Sequence, residues 1–144
     1  MSVSSRLFNI APNIANQLLT YALDSPEQEV CGLISCDNDR QFCYPISNVA
    51  LSPATQFEMD PAQLIYTFKQ IRERKQTLLA IYHSHPDGSI QPSITDIQQH
   101  QYHKLLYLII SSGNQGVLNL GGYIINEDHT VEPVTLTALK QESS

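Results

Sequence analysis

Positive charge, long hydrophobic runs and paired cysteines are all scarce in this sequence. Eight Lys and Arg residues against fourteen Asp and Glu residues give a formal net charge of −6. A basic face for a phosphate backbone is therefore not expected, and we predict no nucleic-acid partner. No apolar stretch approaches the roughly 18 residues of a membrane span, so we predict no membrane partner. The first residues lack the regions of a signal peptide, and we expect a cytoplasmic location.

The three cysteines, Cys31, Cys36 and Cys43, are odd in number, lie in apolar surroundings and form no CxxC pair. This pattern argues against a disulfide framework and against a zinc ribbon. We predict reduced, structural thiols. The only basic cluster lies at 69–75 and shares a predicted helix with Glu73, which is typical of a solvated helix face.

The length of 144 residues predicts one domain over residues 1–144. A compact chain of this size buries roughly 68–70% of the surface that it exposes when unfolded, so it needs no crosslinks. The hydrophobic fraction of 42% and the charged fraction of 15% are ordinary for a globular protein. Only the ends, 1–5 and 140–144, are expected to be flexible. The sequence is compatible with a homo-oligomer and does not specify one.

Two helices are predicted in the first half of the chain. The first runs from about residue 12 to 24, where apolar residues fall on one helical face and "SPEQ" ends the helix. The second begins with Asp60 as N-cap and Pro61 as first helical residue. Its apolar stripe consists of Leu64, Phe68 and Ile71. Between the helices, "EVCGLISC" and "QFCYPISN" predict a hairpin around the turn "DNDR".

The second half of the chain predicts four strands and a short helix. "TLLAIYHSH" is apolar on both faces, which is typical of a strand inside a covered sheet. The loop "PDGSIQP" and a short helix in "SITDIQQHQYH" follow, and then come strands in "KLLYLIISS", "VLNLGGYIIN" and "TVEPVTL". The pattern predicts one α/β or α+β domain with a central sheet between helices.

Two histidines follow the apolar strand in "YHSHPDG". Residues two apart in a strand point to one face, so Leu79, Ile81, His83 and His85 share a side, and the imidazoles come last. An HxH pair alone is weak evidence for a metal site, because two hydrogen-bonded polar residues at a strand end explain it as well.

The downstream "PSITD" adds a hydroxyl and a carboxylate. Ser93 as N-cap with Asp96 three residues later matches a capping box, which is a sufficient structural explanation. The same geometry presents Asp96 at the first turn of a helix, and a short loop can return that turn over the strand end. Two neutral imidazoles and one carboxylate suit catalytic Zn²⁺ and leave a fourth position for water.

A zinc site of this kind needs a base that takes a proton from the water. Glu29 is the candidate, because it opens the first buried-looking strand. The competing explanation is an exposed carboxylate at a strand start, and Glu27 is a nearby competitor. If Glu29 faces the water, it can act as base and then as acid, while Ser93 donates a hydrogen bond to the oxyanion.

These residues resemble the motif of the JAMM metalloproteases, or MPN-plus domains. In this motif a Glu is followed by HxH, seven residues, Ser, two residues and Asp. "EVCG" from Glu29, "HSHP" from His83 and "SITD" from Ser93 have this spacing without adjustment. The segment "NVALSPATQFEMDP" also looks like one that small prokaryotic members carry. The resemblance covers most of the chain.

The resemblance implies that His83, His85 and Asp96 bind Zn²⁺, that Glu29 is the general acid/base and that Ser93 supports the tetrahedral intermediate. The family fold is a curved mixed sheet between helices. The implied activity is hydrolysis of a peptide or isopeptide bond at the C-terminus of a ubiquitin-like protein. In small prokaryotic members the implied partners are sulfur-carrier proteins that end in Gly-Gly, sometimes with a cysteine or a protein attached. Polyubiquitin specificity does not follow, because the segments 60–79 and 111–123 are short.

Other residues and other functions compete with this interpretation. A catalytic Cys31 is disfavoured, because a cysteine in an apolar strand is usually inert. His100 and His103 could share a surface metal, although placement near a helix C-terminus explains them as well. His129 suits a turn, and Gly121-Gly122 suits a bulge or a close backbone approach. The alternative functions are an MPN scaffold with little or no activity and a nucleic-acid-processing relative.

Overall fold

A curled mixed sheet organises the protein. The computed structural model describes residues 7–112 and 118–138, and in these residues seven strands form one sheet in the order β1-β7-β6-β5-β4-β2-β3. The elements are β1 (Leu7–Ile10), α1 (Pro12–Asp24), β2 (Cys31–Cys36), β3 (Gln41–Ile46), α2 (Pro61–Glu73), β4 (Thr77–Ser84), α3 (Ile94–Gln99), β5 (Leu106–Ser112), β6 (Leu118–Ile125) and β7 (Val131–Ala138). The pairs β1/β7 and β4/β5 are parallel, and the other neighbouring strands are antiparallel.

Helices α1 and α2 pack on opposite faces of the sheet. The buried side of α1 joins alternate residues of the central strands, including Ala80 and Tyr82 of β4. Helix α2 packs its buried Ile71 on the other face, against Leu33 and Ile81. Removing this apolar surface from water stabilises both contacts. The predicted α+β fold, with its sheet between helices, is therefore confirmed.

Strand β4 lies in the middle of the sheet, between β2 and β5. Its pairing with β2 steps from Ala80 to Leu78, so Leu79 is an extra residue at a β-bulge. As a result Leu79 packs with the α1 cluster and not beside Ile81. The prediction that Leu79 shares a side with Ile81 and the two histidines was wrong for Leu79, because the bulge breaks the alternation.

Local signals predicted several element ends well. The Asp60 carboxylate accepts hydrogen bonds from the amides of Ala62 and Gln63 at the start of α2, as an N-cap does. In the hairpin turn, the Asp37 carboxylate accepts hydrogen bonds from the amides of Asp39 and Arg40. These side chains satisfy backbone donors that the element itself leaves free.

Two elements differ from the prediction. Strand β1 was not predicted; it pairs with β7, 128 residues later in the chain at Leu7 and Thr135. Helix α3 was predicted to continue to about residue 103 but ends at Gln99, and His100 has an extended backbone with ψ 131°. The ends predicted to be flexible, 1–5 and 140–144, lie outside the described residues.

Candidate metal centre

The histidine pair lies where the central strand β4 leaves the sheet. Ser84, between the two histidines, donates its amide to the Val30 carbonyl oxygen (2.9 Å), and its hydroxyl oxygen accepts from the Val30 amide (2.8 Å). On the other side, the His85 amide donates to the Ile110 carbonyl oxygen at 3.0 Å. Both flanking strands therefore hold the end of β4, and they bring Glu29, just ahead of β2, beside the imidazoles.

Three potential ligand atoms converge at this point. His83 Nε2 and His85 Nε2 lie 2.9 Å apart, and Asp96 Oδ2 lies 3.3 Å from the first and 3.1 Å from the second. Bonds of about 2.0–2.1 Å in a tetrahedral site separate neighbouring ligand atoms by roughly 3.3 Å. The three atoms therefore have nearly the spacing of three corners of a zinc tetrahedron. The turn that carries Asp96 returns over the strand end, as predicted.

Asp96 is also part of a capping box, which confirms the structural explanation of "SITD". Asp96 Oδ2 accepts from the Ser93 amide at 2.9 Å, and Ser93 Oγ accepts from the Asp96 amide at 3.0 Å. These hydrogen bonds orient the carboxylate, and the same Oδ2 faces both histidines. The Ser93 hydroxyl still has its own hydrogen to donate.

Glu29 lies beside these atoms and is 4% exposed. Its Oε1 is 3.8 Å from His83 Nε2, and within the described chain no hydrogen-bond partner contacts it. Glu29, His83 and His85 also form a group that could hold a metal ion, with ligand atoms within 4.8 Å. Asp96 Oδ2 is closer than Glu29 Oε1 to His83 Nε2, at 3.3 Å against 3.8 Å, so Asp96 stays the predicted third ligand. Glu27 is exposed, which removes it as a competitor.

Burial and charge set the protonation of the site. Burial raises the pKa of Glu29 to about 7, although the nearby His85 lowers it and Asp96 raises it further. Burial also lowers the pKa of His83. It would lower the pKa of His85 too, but the hydrogen bond to Asp96 raises that pKa above its ordinary value. Burial alone would raise the pKa of Asp96, but hydrogen bonds from His83 and His85 hold this pKa well below the usual range.

A hydrogen bond outside the cluster selects the tautomer of His85. Its Nδ1 lies 3.0 Å from the Ser89 carbonyl oxygen, which can only accept. In the neutral ring Nδ1 therefore carries the hydrogen, and Nε2 keeps a lone pair for a metal. The hydrogen bond from Nε2 to Asp96 that raises the pKa of His85 belongs to the protonated ring. The loop that supplies Ser89 is held by the Tyr123 hydroxyl, which donates to the Ile90 carbonyl oxygen at 2.6 Å.

Aromatic residues that the sequence analysis did not identify enclose His83. The Phe57 ring stacks on the imidazole with centroids 4.4 Å apart and an interplanar angle of 21°. Tyr107 lies on the same imidazole, 5.1 Å between centroids. His83 Nδ1 is buried and has no hydrogen-bond partner among residues 7–112 and 118–138. Packing therefore holds this ring. One signal in the sequence could have suggested the contact with Tyr107: Tyr107 and Ile109 are two apart on a buried strand and so point to one face of the sheet.

The remaining candidate residues lie outside this cluster. Burial raises the pKa of Cys31 to about 12, and its thiol donates to the Ile46 carbonyl oxygen, as an inert core cysteine does. All three cysteines are free. His100 Nε2 donates to the Tyr102 carbonyl oxygen and His103 Nδ1 to the Ile125 carbonyl oxygen. His100 is the C-cap of α3, so its predicted placement near a helix C-terminus is confirmed, whereas His103 lies beyond the helix. Backbone hydrogen bonds explain both side chains.

The predictions for the turn and for the glycines are confirmed in part. His129 has φ 69° and donates its amide to the Asn126 carbonyl oxygen, which makes it a turn residue. The pairing of β5 with β6 runs without a shift through Gly121 and Gly122, so there is no bulge at this pair. A close backbone approach does occur, because a Cβ on Gly121 would lie 2.5 Å from the Ile90 carbonyl oxygen.

Comparison with known proteins identifies the family. The family described as "Prokaryotic homologs of the JAB domain" matches residues 12–120, which include all five candidate site residues. The chain belongs to this family. The desampylase of Haloferax volcanii is 32% identical over 115 residues, covering 75% of this chain and 82% of that protein. The probable TtuB-protein conjugate cleaving protease of Thermus thermophilus is 35% identical over 94 residues, covering 65% of this chain and 61% of that protein.

A solved structure supports the same assignment. The solution structure of a protein from Desulfitobacterium hafniense has a TM-score of 0.81 and 26% sequence identity, covering 93% of this chain and 94% of that chain. The predicted family, fold and class of enzyme, a JAMM-type peptidase, are thus confirmed. The family is metal-dependent, and the cluster above is a suitable metal-binding group. None of the helices in the described part of the chain is long and apolar enough to span a membrane.

Proposed function

We propose that this protein is a zinc-dependent peptidase that hydrolyses the bond after the C-terminal Gly-Gly of a ubiquitin-like or sulfur-carrier protein. The observation that carries the proposal is the convergence of two imidazole nitrogens and one carboxylate oxygen within 2.9–3.3 Å, beside a buried Glu29 carboxylate. A structural cluster would pair such polar atoms in full, whereas Glu29 Oε1 has no partner in the described residues.

The donor set favours zinc. Two neutral imidazoles and one carboxylate form a three-ligand set of catalytic zinc sites, which keep one position open. In this site His83, His85 and Asp96 would hold the ion through the atoms that converge. The pKa of His83 is lowered by burial, so its imidazole is neutral at pH 7 and can bind a metal. When bound, zinc lowers the pKa of a water from about 15.7 toward about 7 and polarises a carbonyl oxygen.

Glu29 and Ser93 have the proton-transfer and stabilising roles in this proposal. The Glu29 carboxylate accepts the proton of the attacking water and later delivers it to the leaving amine, so the nitrogen departs neutral. Its burial favours a pKa near that of the reaction medium, which suits a group that both takes and gives a proton. The Ser93 hydroxyl, which keeps its own hydrogen, donates to the oxyanion that forms when the carbonyl carbon is attacked.

The substrate assignment rests on the relatives and on the shape of the site. One relative is named a desampylase and another a protease that cleaves conjugates of TtuB with proteins. We infer a similar conjugate here, with an amine of a second protein as leaving group. A cleft of about 630 Å³ opens beside Asp96, with Phe57 and Tyr107 in its wall, and gives an extended tail room to approach. Glycines at the scissile end avoid side chains that would block a narrow approach to the metal.

A panel of carriers tests the proposal. Gly-Gly-ending ubiquitin-like and sulfur-carrier proteins of the host, each extended through the terminal carboxyl by a short peptide or by a lysine side chain, are incubated with the wild type and with Glu29→Gln. We expect cleavage after Gly-Gly by the zinc-loaded wild type, loss with chelator, recovery with added zinc, and no cleavage by Glu29→Gln. Wild-type protein without stoichiometric zinc, or an active Glu29→Gln variant, would contradict the mechanism.

The alternative is a scaffold that binds a carrier without hydrolysing it. It would be favoured if the metal-loaded protein bound a carrier and cleaved none of the panel. A nucleic-acid function would require salt-sensitive DNA binding, which the net charge of −6 disfavours. A cytoplasmic location, the domain limits at 1–144 and the oligomeric state stay predictions.

A further inference from the structure

One amide side chain next to the site makes four hydrogen bonds. Asn48 lies just beyond β3 and forms an isolated antiparallel bridge with Met59. Asn48 Oδ1 accepts from the amides of Ala50 (3.0 Å) and Glu58 (3.0 Å), and Asn48 Nδ2 donates to the carbonyl oxygens of Gln56 (2.9 Å) and Glu29 (3.0 Å). Because two N–H groups point at one atom and two carbonyls at the other, the orientation of the amide is unambiguous.

Three of these bonds close a loop, and the fourth reaches the catalytic carboxylate residue. The loop of residues 49–58, closed by Asn48, carries Phe57, whose ring stacks on His83. Asn48 bonds to the Glu29 carbonyl oxygen, and the loop binds the Glu29 amide, which donates to the Pro53 carbonyl oxygen at 2.7 Å. Both polar backbone groups of Glu29 therefore bond to one segment.

The sheet does not provide this hold. Strand β2 begins at Cys31. The residue before it, Val30, still forms hydrogen bonds with Ser84 at the end of β4. Glu29 lies one residue outside that pairing. Its side-chain Oε1 has no hydrogen-bond partner in the described part of the chain, so the backbone contacts determine where the carboxylate stands.

We propose that Asn48 is a positioning residue: its amide holds the backbone of Glu29 so that the carboxylate faces the metal ligands. The inference rests on the proposed function, since it assumes that Glu29 is the general acid/base. Asn48 touches neither the ligands nor the reacting atoms and acts through Glu29. A loss of this hold lowers the rate of proton transfer without removing a metal ligand.

Two substitutions at Asn48 and one matched control separate the bond to Glu29 from the bonds that close the loop. Asn48→Asp keeps the acceptors for Ala50 and Glu58 and loses both donors, including the bond to Glu29, whereas Asn48→Ala loses all four bonds. The control is Gln63→Ala. Gln63 is a similar clamp on the neighbouring residue, because its side-chain oxygen accepts from the Ser47 amide and its nitrogen donates to Ser47 Oγ. It has no described hydrogen bond to Glu29.

Steady-state kinetics on a cleaved carrier is the first readout. We expect Asn48→Asp to lower kcat by about 10- to 100-fold, as for other residues that orient an active group, with KM and zinc content unchanged. Asn48→Ala lowers kcat as well, but it also opens the loop that carries Phe57, so its zinc affinity falls too. Gln63→Ala keeps the wild-type kcat. Wild-type kcat in zinc-loaded Asn48→Asp overturns the inference.

Amide hydrogen exchange is the second readout and needs no substrate. In Asn48→Asp the Glu29 amide keeps its own bond to the Pro53 carbonyl oxygen, but the Glu29 carbonyl oxygen loses its donor. We therefore expect this segment to open more often and the Glu29 amide to exchange faster, while the Ala50 and Glu58 amides, whose acceptor remains, keep their protection. Gln63→Ala leaves Glu29 protected. Unchanged exchange at Glu29 in Asn48→Asp overturns the inference even if the enzyme proves active. If the wild type cleaves no carrier, the proposed function fails, and the exchange result still decides whether Asn48 holds Glu29.

Discussion

The imidazole of His83 lies nearly parallel to the phenyl ring of Phe57, at 4.4 Å between centroids and 21° between planes. A metal-binding histidine usually donates its second ring nitrogen to a hydrogen-bond acceptor, which fixes the ring. Buried His83 Nδ1 finds no such acceptor among the described residues. Stacking by Phe57, with Tyr107 at 5.1 Å, takes over this orienting role.

Replacing Phe57 should therefore weaken metal binding. We expect Phe57→Leu to lower zinc affinity by about 10- to 100-fold, because leucine keeps apolar volume but cannot hold the ring plane. Competition with a chromophoric chelator measures the effect. Phe68→Leu is the matched control, since Phe68 belongs to the same apolar cluster as Phe57 but pairs its ring with Tyr102 and not with His83. Equal zinc affinities in the two variants would show that stacking does not orient His83.

The dual role of Asp96 can be separated by two substitutions. Asp96→Asn keeps an oxygen that accepts from the Ser93 amide, so the capping box survives in the metal-free protein, whereas Asp96→Ala loses this hydrogen bond and about 0.5–1.5 kcal/mol. Both lose the charged zinc ligand, and zinc affinity should fall further than the roughly 10- to 100-fold of an outer-shell change. Urea unfolding with chelator and zinc titration measure the two effects. Wild-type zinc affinity in Asp96→Asn would exclude Asp96 as a ligand.

Much of the fold could be predicted because its signals are local. The Asp60-Pro61 start of α2 and the capping box at Ser93 depend on contacts within three residues, and the sequence displays them directly. Strand β1 could not be predicted, because its four residues are ordered by pairing with β7 far along the chain. Helix α3 ends early although no helix-breaking residue follows Gln99. The His100 ring is buried against Tyr107 of β5 and donates to the Tyr102 carbonyl oxygen, and this burial depends on packing that the local sequence does not display.

The thiols of Cys31 and Cys43 should be unreactive in the native protein. Burial raises the pKa of Cys31 to about 12 and that of Cys43 to about 11, so at pH 8 neither forms an appreciable amount of the thiolate that attacks alkylating reagents. We expect iodoacetamide at pH 8 to leave hydrolysis intact, whereas a chelator abolishes it. Mass spectrometry after the reaction locates any label. Inactivation that accompanies labelling of Cys31 would revive a cysteine mechanism.

The same pKa values determine how stability depends on pH. A thiol in the unfolded chain ionises near its ordinary pKa of 9.0, below the folded values. The folded state therefore keeps protons that the unfolded state releases, and its advantage, full below pH 9, is lost as pH rises through about 11 to 12. We expect the free energy of unfolding to fall above pH 9 and to fall less in Cys31→Ala. Equal pH slopes for both proteins would contradict this.

The convergence of the three proposed ligands was more predictable than their surroundings. Spacing along the chain suggested His83, His85 and Asp96 together, since a strand end and a helix start joined by a short loop have few arrangements. The contact of Phe57 with His83 could not be predicted, because it depends on how the loop closed by Asn48 folds. No periodic pattern in the sequence describes that loop.

Gly121 offers a last test of how the site is supported. An alanine Cβ at this position would lie 2.5 Å from the Ile90 carbonyl oxygen, which belongs to the backbone of the loop that orients His85 through Ser89. The backbone must shift, so we expect Gly121→Ala to lower zinc affinity by about 10- to 100-fold. Tyr123→Phe, which removes the hydroxyl that donates to Ile90, should act in the same direction without adding volume.

Gly122→Ala is the control for Gly121→Ala, because its Cβ would meet only side chains, first the rotatable end of Leu136 at 2.8 Å. Both glycines lie on β6 in unbroken register, so the two alanines have the same effect on the strand backbone. They differ in the face of the sheet on which the added Cβ meets its neighbours. Zinc titration of the three variants, with thermal unfolding of the metal-free forms, separates site effects from general destabilisation. If zinc affinity fell equally in Gly121→Ala and Gly122→Ala and stayed normal in Tyr123→Phe, the loop would not be what supports His85.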